Sequence, residues 1–442
     1  MALLNPPFDP HLSRQTDPIQ GLDPEAWELA RSLLVAAPSG LPEQSPDPLP
    51  QVLEELLALH RCSVSNPQAG FPLRSLLALG RSLFAQPERP DGRDALRAAA
   101  DALRREMVGD TVSFVVNRNL NVSNHCVLRC GFCAFRRSAN EPGAYRLSRS
   151  EIRDRAAEAS ALGATEVCLQ AGLDPEATHQ GSHLDFATAL LSDLNEAAPA
   201  LHLHGFSPQE LLFISQRDNL PLTEVVCTLR QAGLGSVPGT AAEVLVPRVR
   251  QLICPEKLSA QAWVAVMHQV HRAGLPSTST LLAGHVETPL EQLAHLCTLG
   301  ALQAEAQTLG QPGFSEFILL PFIGASAPAP LRARVGRDQP DVEAMLLLTA
   351  QARLLLGPWI RNHQSSWVKL TLPVAAEALN WGCNDLGGTL MEEHISTMAG
   401  AVGGTQQSVQ ALQQAARSKA RPVAQRTTLY GAPLRAADCW SG

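Results

Sequence analysis

Long apolar runs, basic clusters and a paired cysteine framework are all missing from this chain. No apolar segment reaches the roughly 18 residues that a membrane-spanning helix requires, so no membrane span is expected. Charged residues are only 17% of the 442, and the net charge of -7 leaves no electropositive footprint for nucleic acid or an anionic membrane. The start, Met-Ala-Leu-Leu-Asn-Pro-Pro-Phe-Asp-Pro, has neither the basic region nor the apolar stretch of a secretory signal. Of ten cysteines, seven are scattered singly, which argues against a disulfide scaffold and for a reducing, cytoplasmic setting. No internal repeat or heptad pattern is visible.

What is present is a globular chain, 45% hydrophobic, with room for a barrel of about 250 residues plus appendages. Residues 1–21, rich in Pro, Asp and Gln, read as a mobile arm. Asp23 before Pro24 has the form of an N-cap with proline at the first helical position, opening a helix through Trp27, Leu29 and Leu33. Residues 37–50 are too proline-dense to be anything but loop. Helical spacing recurs around 50–61, 72–85 and 92–107, so 22–108 is expected to be a helical region flanking the rest.

From Thr111 the texture changes to short apolar strands alternating with longer helices. Strands are predicted at 112–117, 165–170, 201–206, 233–237, 276–283, 315–321, 367–371 and 383–387. Helices are predicted at roughly 148–162, 184–196, 208–216, 221–232, 259–273, 288–305 and 341–356, the first opened by a Ser148/Glu151 capping box. This alternation predicts an α/β fold, a (β/α)8 barrel of the TIM type over 109–388, with a C-terminal helical tail over 389–442.

The chemistry is concentrated in the loop after the first predicted strand. Asn-His-Cys-Val-Leu-Arg-Cys-Gly-Phe-Cys-Ala-Phe places Cys126, Cys130 and Cys133 in a C-x3-C-x2-C spacing. Three thiolates on one tight loop can hold three irons of a [4Fe–4S] cluster, whereas a closed cluster takes four cysteines. The open fourth iron is the place where radical SAM enzymes chelate S-adenosylmethionine (SAM). A structural zinc site wants four ligands, usually in two pairs, and no second pair exists. His125, adjacent to Cys126, points awkwardly for closing a tetrahedron. An electron-transfer or scaffold cluster would call for a fourth cysteine too.

Barrel enzymes carry their sites at the C-terminal ends of the strands, and polar runs fall at several of the predicted ends. Phe132, beside the last cysteine, is placed to pack against adenine. Gln170, Ala171 and Gly172 would let backbone approach the SAM amino group, the small residues giving room. Glu243 is a candidate for a SAM ribose or substrate amine contact, and joins His285 and Glu287 as a candidate catalytic residue. Arg118, Asn384 and Asp385 are candidates for substrate binding by position.

Several runs together resemble one family. They are Val-Asn-Arg-Asn-Leu-Asn-Val-Ser-Asn-His-Cys from Val116, Gly-Leu-Gly-Ser-Val-Pro-Gly-Thr-Ala-Ala-Glu from Gly233, Ile253-Cys254-Pro255, Gly284-His285-Val286-Glu287-Thr288, Asn384-Asp385-Leu386-Gly387-Gly388-Thr389 and Gln425-Arg426-Thr427-Thr428-Leu429-Tyr430-Gly431. Across about residues 100–431 the chain is similar to the CofH-type subunit of deazaflavin (FO) synthase, a radical SAM family. The resemblance implies joining the 4-hydroxybenzyl group of L-tyrosine to 5-amino-6-(D-ribitylamino)uracil, with a CofG-type enzyme as functional partner and ferredoxin or flavodoxin as electron donor. The competing reading is a menaquinone-pathway radical enzyme, aminofutalosine synthase or dehypoxanthine futalosine cyclase, which share the cysteine loop and barrel. One departure stands out: the family tends to show two glycines after Gln170, where this chain has Ala171-Gly172, tolerable if the alanine keeps a negative φ.

Overall fold

Short strands between long helices build a closed ring. The computed structural model describes residues 19–35, 47–66, 70–85 and 90–432; the expected arm, up to residue 18, and most of the 37–50 loop lie outside these. β1 (Val112–Val115) and β2 (Asn117–Asn121) are two halves of one strand. β3 (Glu166–Gln170), β4 (His202–His204), β5 (Ser277–Ala283), β6 (Phe314–Pro321), β7 (His363–Ser365), β8 (Asp385–Gly388) and β9 (Val423–Arg426) follow. Their order is β5-β6-β7-β8-β1-β9 in one sheet and β2-β3-β4 in the other, with every ladder parallel. Bridges from His204 to Ser236 and from Val237 to Ser277 join the two sheets. Residues 236–237 are thus the missing stave, and the ring closes as the eight-staved barrel that the alternation predicted.

Two staves differ from expectation. The fourth, predicted over 233–237, shrinks to single bridges because Pro238 has no N–H for a ladder. The Thr278 and Thr280 hydroxyls instead bond the Gly239 N–H and carbonyl, and a Cβ on Gly239 would collide with the Thr278 carbonyl. The seventh strand is His363–Ser365, upstream of the predicted 367–371. The apolar Trp367–Leu370 run is a short helix, pinned by the Trp367 indole donating to the Gly388 carbonyl at 2.9 Å. A three-residue polar strand carries no apolar alternation, so the signal was displaced onto its anchor.

Helices cover the outside. Ser148 and Glu151 form the capping box of Arg149–Ala161, and Thr288 with Glu291 caps Pro289–Thr308 the same way. Asp23 caps Pro24–Leu33 by accepting the Glu25 N–H, and the fully buried Trp27 packs this helix on Ala260–Arg272. Burying an indole of roughly 200 Å² stabilises that junction by about 5 kcal/mol before entropy is counted. No helix among the described residues is long and apolar enough to cross a membrane.

The tail, expected to be helical, holds short helices at Ile395–Met398 and Val409–Arg417 but also β9, which adds to β1. Beyond β9 the chain passes across the base of the barrel. Arg426 turns inward and grips Asp385 at 2.5 and 3.0 Å, while the Tyr430 hydroxyl donates to Glu316 on β6 at 2.6 Å. The tail is therefore the floor of the barrel.

Candidate active site

Alternation along the strands decides what faces inward. On β2, Asn117 bonds Glu166 of β3 and Asn121 bonds the Gln170 carbonyl, whereas Arg118 points out to the Arg155 carbonyl and Glu158 of the neighbouring helix. In-register pairing puts Asn117, Asn119 and Asn121 on one face with Glu166, Cys168 and Gln170. The interior is thus polar where strand one meets strand two. Beside β2 a cavity of about 350 Å³ opens, walled by Asn119, Asn121, Tyr145, Glu392 and His394 among others.

The cysteine loop leaves the top of β2 and is held by backbone from several directions. Cys126 N–H donates to Arg137 at 3.1 Å, Val127 to Leu173 at 3.0 Å, and Gly131 to Ile253 at 2.9 Å. Gly172 lies against the loop so closely that a Cβ would strike the His125 carbonyl, while its N–H donates to Ser123 at 2.9 Å. Gly172 therefore braces the cysteine loop through its N–H and its close approach to His125. Ala171 keeps an ordinary φ, so its departure from a double glycine costs nothing. Its N–H is taken by Glu210, whose carboxyl burial pushes up.

Asp174 is the loop's second support and carried no sequence signal. It accepts from the Ser123 hydroxyl at 3.0 Å and from two Arg146 nitrogens at 2.8 Å each, with His125 Nδ1 at 3.5 Å. His125 is thus committed to a carboxylate.

The three loop thiols fit the donor set of a cluster. All are free and partly accessible, and Cys126 and Cys133 both act electrostatically on Cys130. Burial raises the Cys126 and Cys130 thiols, and the Lys257 ammonium opposes it, favouring the thiolates that metal binding needs. Cys254 also acts on Cys130, but it is a core residue, 1% exposed.

Glu243 is where the sequence reading and the structure meet. Its carboxylate lies 2.5 Å from Lys257 Nζ, and that ammonium stands 5.3 Å from the centre of the Phe132 ring. Burial would raise the Glu243 carboxyl, but Lys257 outweighs it and holds the group below its ordinary range. Two residues of this turn, Ala241 (φ 63°) and Glu243 (φ 44°), are left-handed, a conformation that costs on the order of 1 kcal/mol or more each outside glycine. Such strain is kept where it aims a functional group.

The other sequence candidates take structural partners of their own, His285 and Glu287 just past the end of β5 and the rest elsewhere. His285 and Glu287 pair with each other at 3.0 Å and close their own turn: Glu287 accepts the Gly284 and His285 N–H groups, and His285 engages Leu282 and Val286. Both therefore hold the turn that follows β5. Arg118 lies in the outer layer, paired with Glu158 and Glu392. Asn384 binds Arg353 and the His363 N–H just before β8 begins, and Asp385 is the floor ligand of Arg426. Both sit at the base because β8 starts at Asp385 itself, so the rim falls after Gly388.

Comparisons with known proteins agree with this arrangement. Residues 120–297 match the model of the Radical SAM superfamily, and residues 311–432 match the CofH/MqnC C-terminal region. A 5-amino-6-(D-ribitylamino)uracil–L-tyrosine 4-hydroxyphenyl transferase of Cyanothece sp. (strain PCC 7425 / ATCC 29141) is 54% identical over 343 residues, 77% of this chain and 90% of that protein. A protein of the same name from Nostoc punctiforme is 50% identical over 349 residues, 79% of this chain and 92% of that one. Among solved structures, methylornithine synthase (PylB) superposes with a TM-score of 0.61 at 17% identity, covering 86% of this chain and 98% of that chain. The maturase HydG from Carboxydothermus hydrogenoformans gives 0.60 at 15% identity, covering 88% and 87%. At such identities these two speak for the barrel alone.

Proposed function

The chain belongs to the family of 5-amino-6-(D-ribitylamino)uracil–L-tyrosine 4-hydroxyphenyl transferases within the radical SAM superfamily, and we propose that it catalyses that family's reaction. The 4-hydroxybenzyl group of L-tyrosine passes to C5 of 5-amino-6-(D-ribitylamino)uracil, with 2-iminoacetate, methionine and 5′-deoxyadenosine released. Cys126, Cys130 and Cys133 would hold a [4Fe–4S] cluster, which when bound would supply the electron for reductive cleavage of SAM. The observation that carries the reading is the free cysteine trio at the mouth of a closed polar barrel, with Phe132, Lys257 and Glu243 beside it.

Each residue then has a task. Cys126, Cys130 and Cys133 would bind the cluster as thiolates, supplying three of the four donors that a closed cluster takes. Phe132 packs against the adenine, and Gln170 and Ala171 border the SAM site. Glu243, kept ionised by Lys257, accepts from the SAM ribose or the substrate amine. The barrel wall shields reactive carbon from water.

The product is an open adduct that a CofG-type enzyme would cyclise, and ferredoxin or flavodoxin in the cytoplasm would supply electrons. The test is anaerobic turnover of reconstituted, reduced protein with SAM, tyrosine and the ribitylaminouracil, read by mass spectrometry. Appearance of the hydroxybenzyl adduct with 5′-deoxyadenosine supports the reading; absence of both sinks it. Consumption of futalosine compounds instead would move the chain to the menaquinone-type reaction. Cys130→Ala is expected to lose the brown cluster absorbance.

A further inference from the structure

Lys369 is an unmatched cation in the mouth of the barrel. It lies just past the end of β7, on the helix Trp367–Leu370, and so at the same end as the cysteine loop. Among the described residues its ammonium makes no hydrogen bond and no salt bridge, although Glu243 and Glu393 both act on it electrostatically. Glu393 follows β8, the adjacent stave, whereas Glu243 belongs to the turn after residues 236–237, three staves away around the ring. A side chain within reach of both has to project across the opening.

Two further facts describe its surroundings. Lys369 is only partly exposed, and its ammonium is desolvated by the surrounding protein yet is not a sealed, orphaned atom. The helix carrying it is rigidly seated: the Trp367 indole bonds Gly388, and the Gly403 N–H bonds the Val368 carbonyl.

The charges around it have other contacts. Lys257 is paired with Glu243, and both Glu393 oxygens receive the Ser396 N–H. A cation with a free valence, flanked by two carboxylates, is the inverse of an amino-acid head group. We propose that Lys369 binds the α-carboxylate of the tyrosine substrate, so that the α-amino group turns toward Glu243 and Glu393. This rests on the transferase reading above and adds to it the residue that selects an amino acid over an amine. An unpaired, desolvated ammonium gains more from a carboxylate than a hydrated one does, because its loss of water is incurred on folding and not on binding.

The test is equilibrium dialysis of labelled tyrosine against reconstituted, SAM-loaded protein, with kinetics alongside. Lys369→Met is expected to raise the tyrosine Kd and KM about 100-fold, and Lys369→Arg about 10-fold or less. Wild type is expected to prefer tyrosine over tyramine, which lacks the carboxylate, and Lys369→Met to lose most of that preference. Thermal melting checks that both variants fold. Unchanged tyrosine affinity in a folded Lys369→Met protein overturns the proposal. So does weakened SAM binding with tyrosine untouched, which would give the ammonium to the cosubstrate. Should the methionine variant not fold, equal wild-type affinity for tyrosine and tyramine, or normal tyrosine affinity in Lys369→Gln, is equally fatal. The transferase reading fails separately, when wild type makes no adduct at all.

Discussion

Lys257 stands 2.5 Å from the Glu243 carboxylate and 5.3 Å from the centre of the Phe132 ring, so one ammonium ties a strained rim turn to the cysteine loop. Lys257 is itself only slightly exposed, and its ammonium is held above lysine's ordinary range, Glu243 outweighing the burial that would lower it.

Breaking that pair should cost more than losing both halves. Lys257→Met leaves Glu243 buried without its ion-pair partner and is expected to destabilise the fold by about 3 to 5 kcal/mol. Adding Glu243→Gln should return most of the stability, because no lone charge remains. Adduct formation should stay lost in both. Thermal melts and product analysis on the single and double variants check this; a double variant no more stable than Lys257→Met refutes it.

Gly172 is the position where one methyl group should empty the site. Gly172→Ala pushes a Cβ into the His125 carbonyl, immediately before the first ligand. The expected outcome is a folded barrel with iron content and cluster absorbance well below wild type. Ala171→Gly, next door, should change neither. A fully loaded Gly172→Ala protein would mean that the loop gives way without harm.

The turn at 284–287 predicts a pH dependence. Burial acts to raise the Glu287 carboxyl, but His285, the Gly284 N–H and Gln292 outweigh it and hold it at about 2, against an ordinary 4.5. A carboxylate depressed on folding stabilises the protein fully above the ordinary value and less as pH falls toward the folded one. The gain is roughly 3 kcal/mol at neutral pH, lost between about pH 4.5 and pH 2. Glu287→Gln should flatten the stability profile over that window, as read from urea midpoints. At neutral pH it should weaken stability and leave the tyrosine KM close to wild type.

Arg426→Met should be among the most damaging single changes remote from the mouth. It strips the counterion from buried Asp385 and weakens the setting of Glu316, whose carboxyl burial pushes up to about 7. A loss of roughly 3 to 5 kcal/mol is expected, with cluster ligands untouched. Arg426→Met with Asp385→Asn should recover part of it. Chemical denaturation measures both.

Legibility from the sequence followed the kind of force involved. Strands with apolar alternation, such as Ser277–Ala283, were readable because burial writes itself into composition. His363–Ser365 was not, since its polar side chains answer to partners brought by the fold. The cysteine spacing was local and therefore visible, and Glu243 stood out as a candidate through its strand-end position. Lys257, Asp174 and Lys369 escaped notice because a lone lysine or aspartate acquires meaning only from what lies across the ring. Asn384 and Asp385 were misplaced by the few residues that separate a strand's start from its end, which here is the distance from floor to rim.

The tail that crosses beneath the staves makes the barrel a flask with a stopper in its base. With Arg426 and Tyr430 occupying the underside, traffic is directed to the upper opening and its flank. Of two molecules stacked on that route, the deeper must arrive first and depart last. Compulsory order of binding, visible as product inhibition that is competitive against one substrate and not against the other, would then be a property written by the segment that stops the base and not by the chemistry above it.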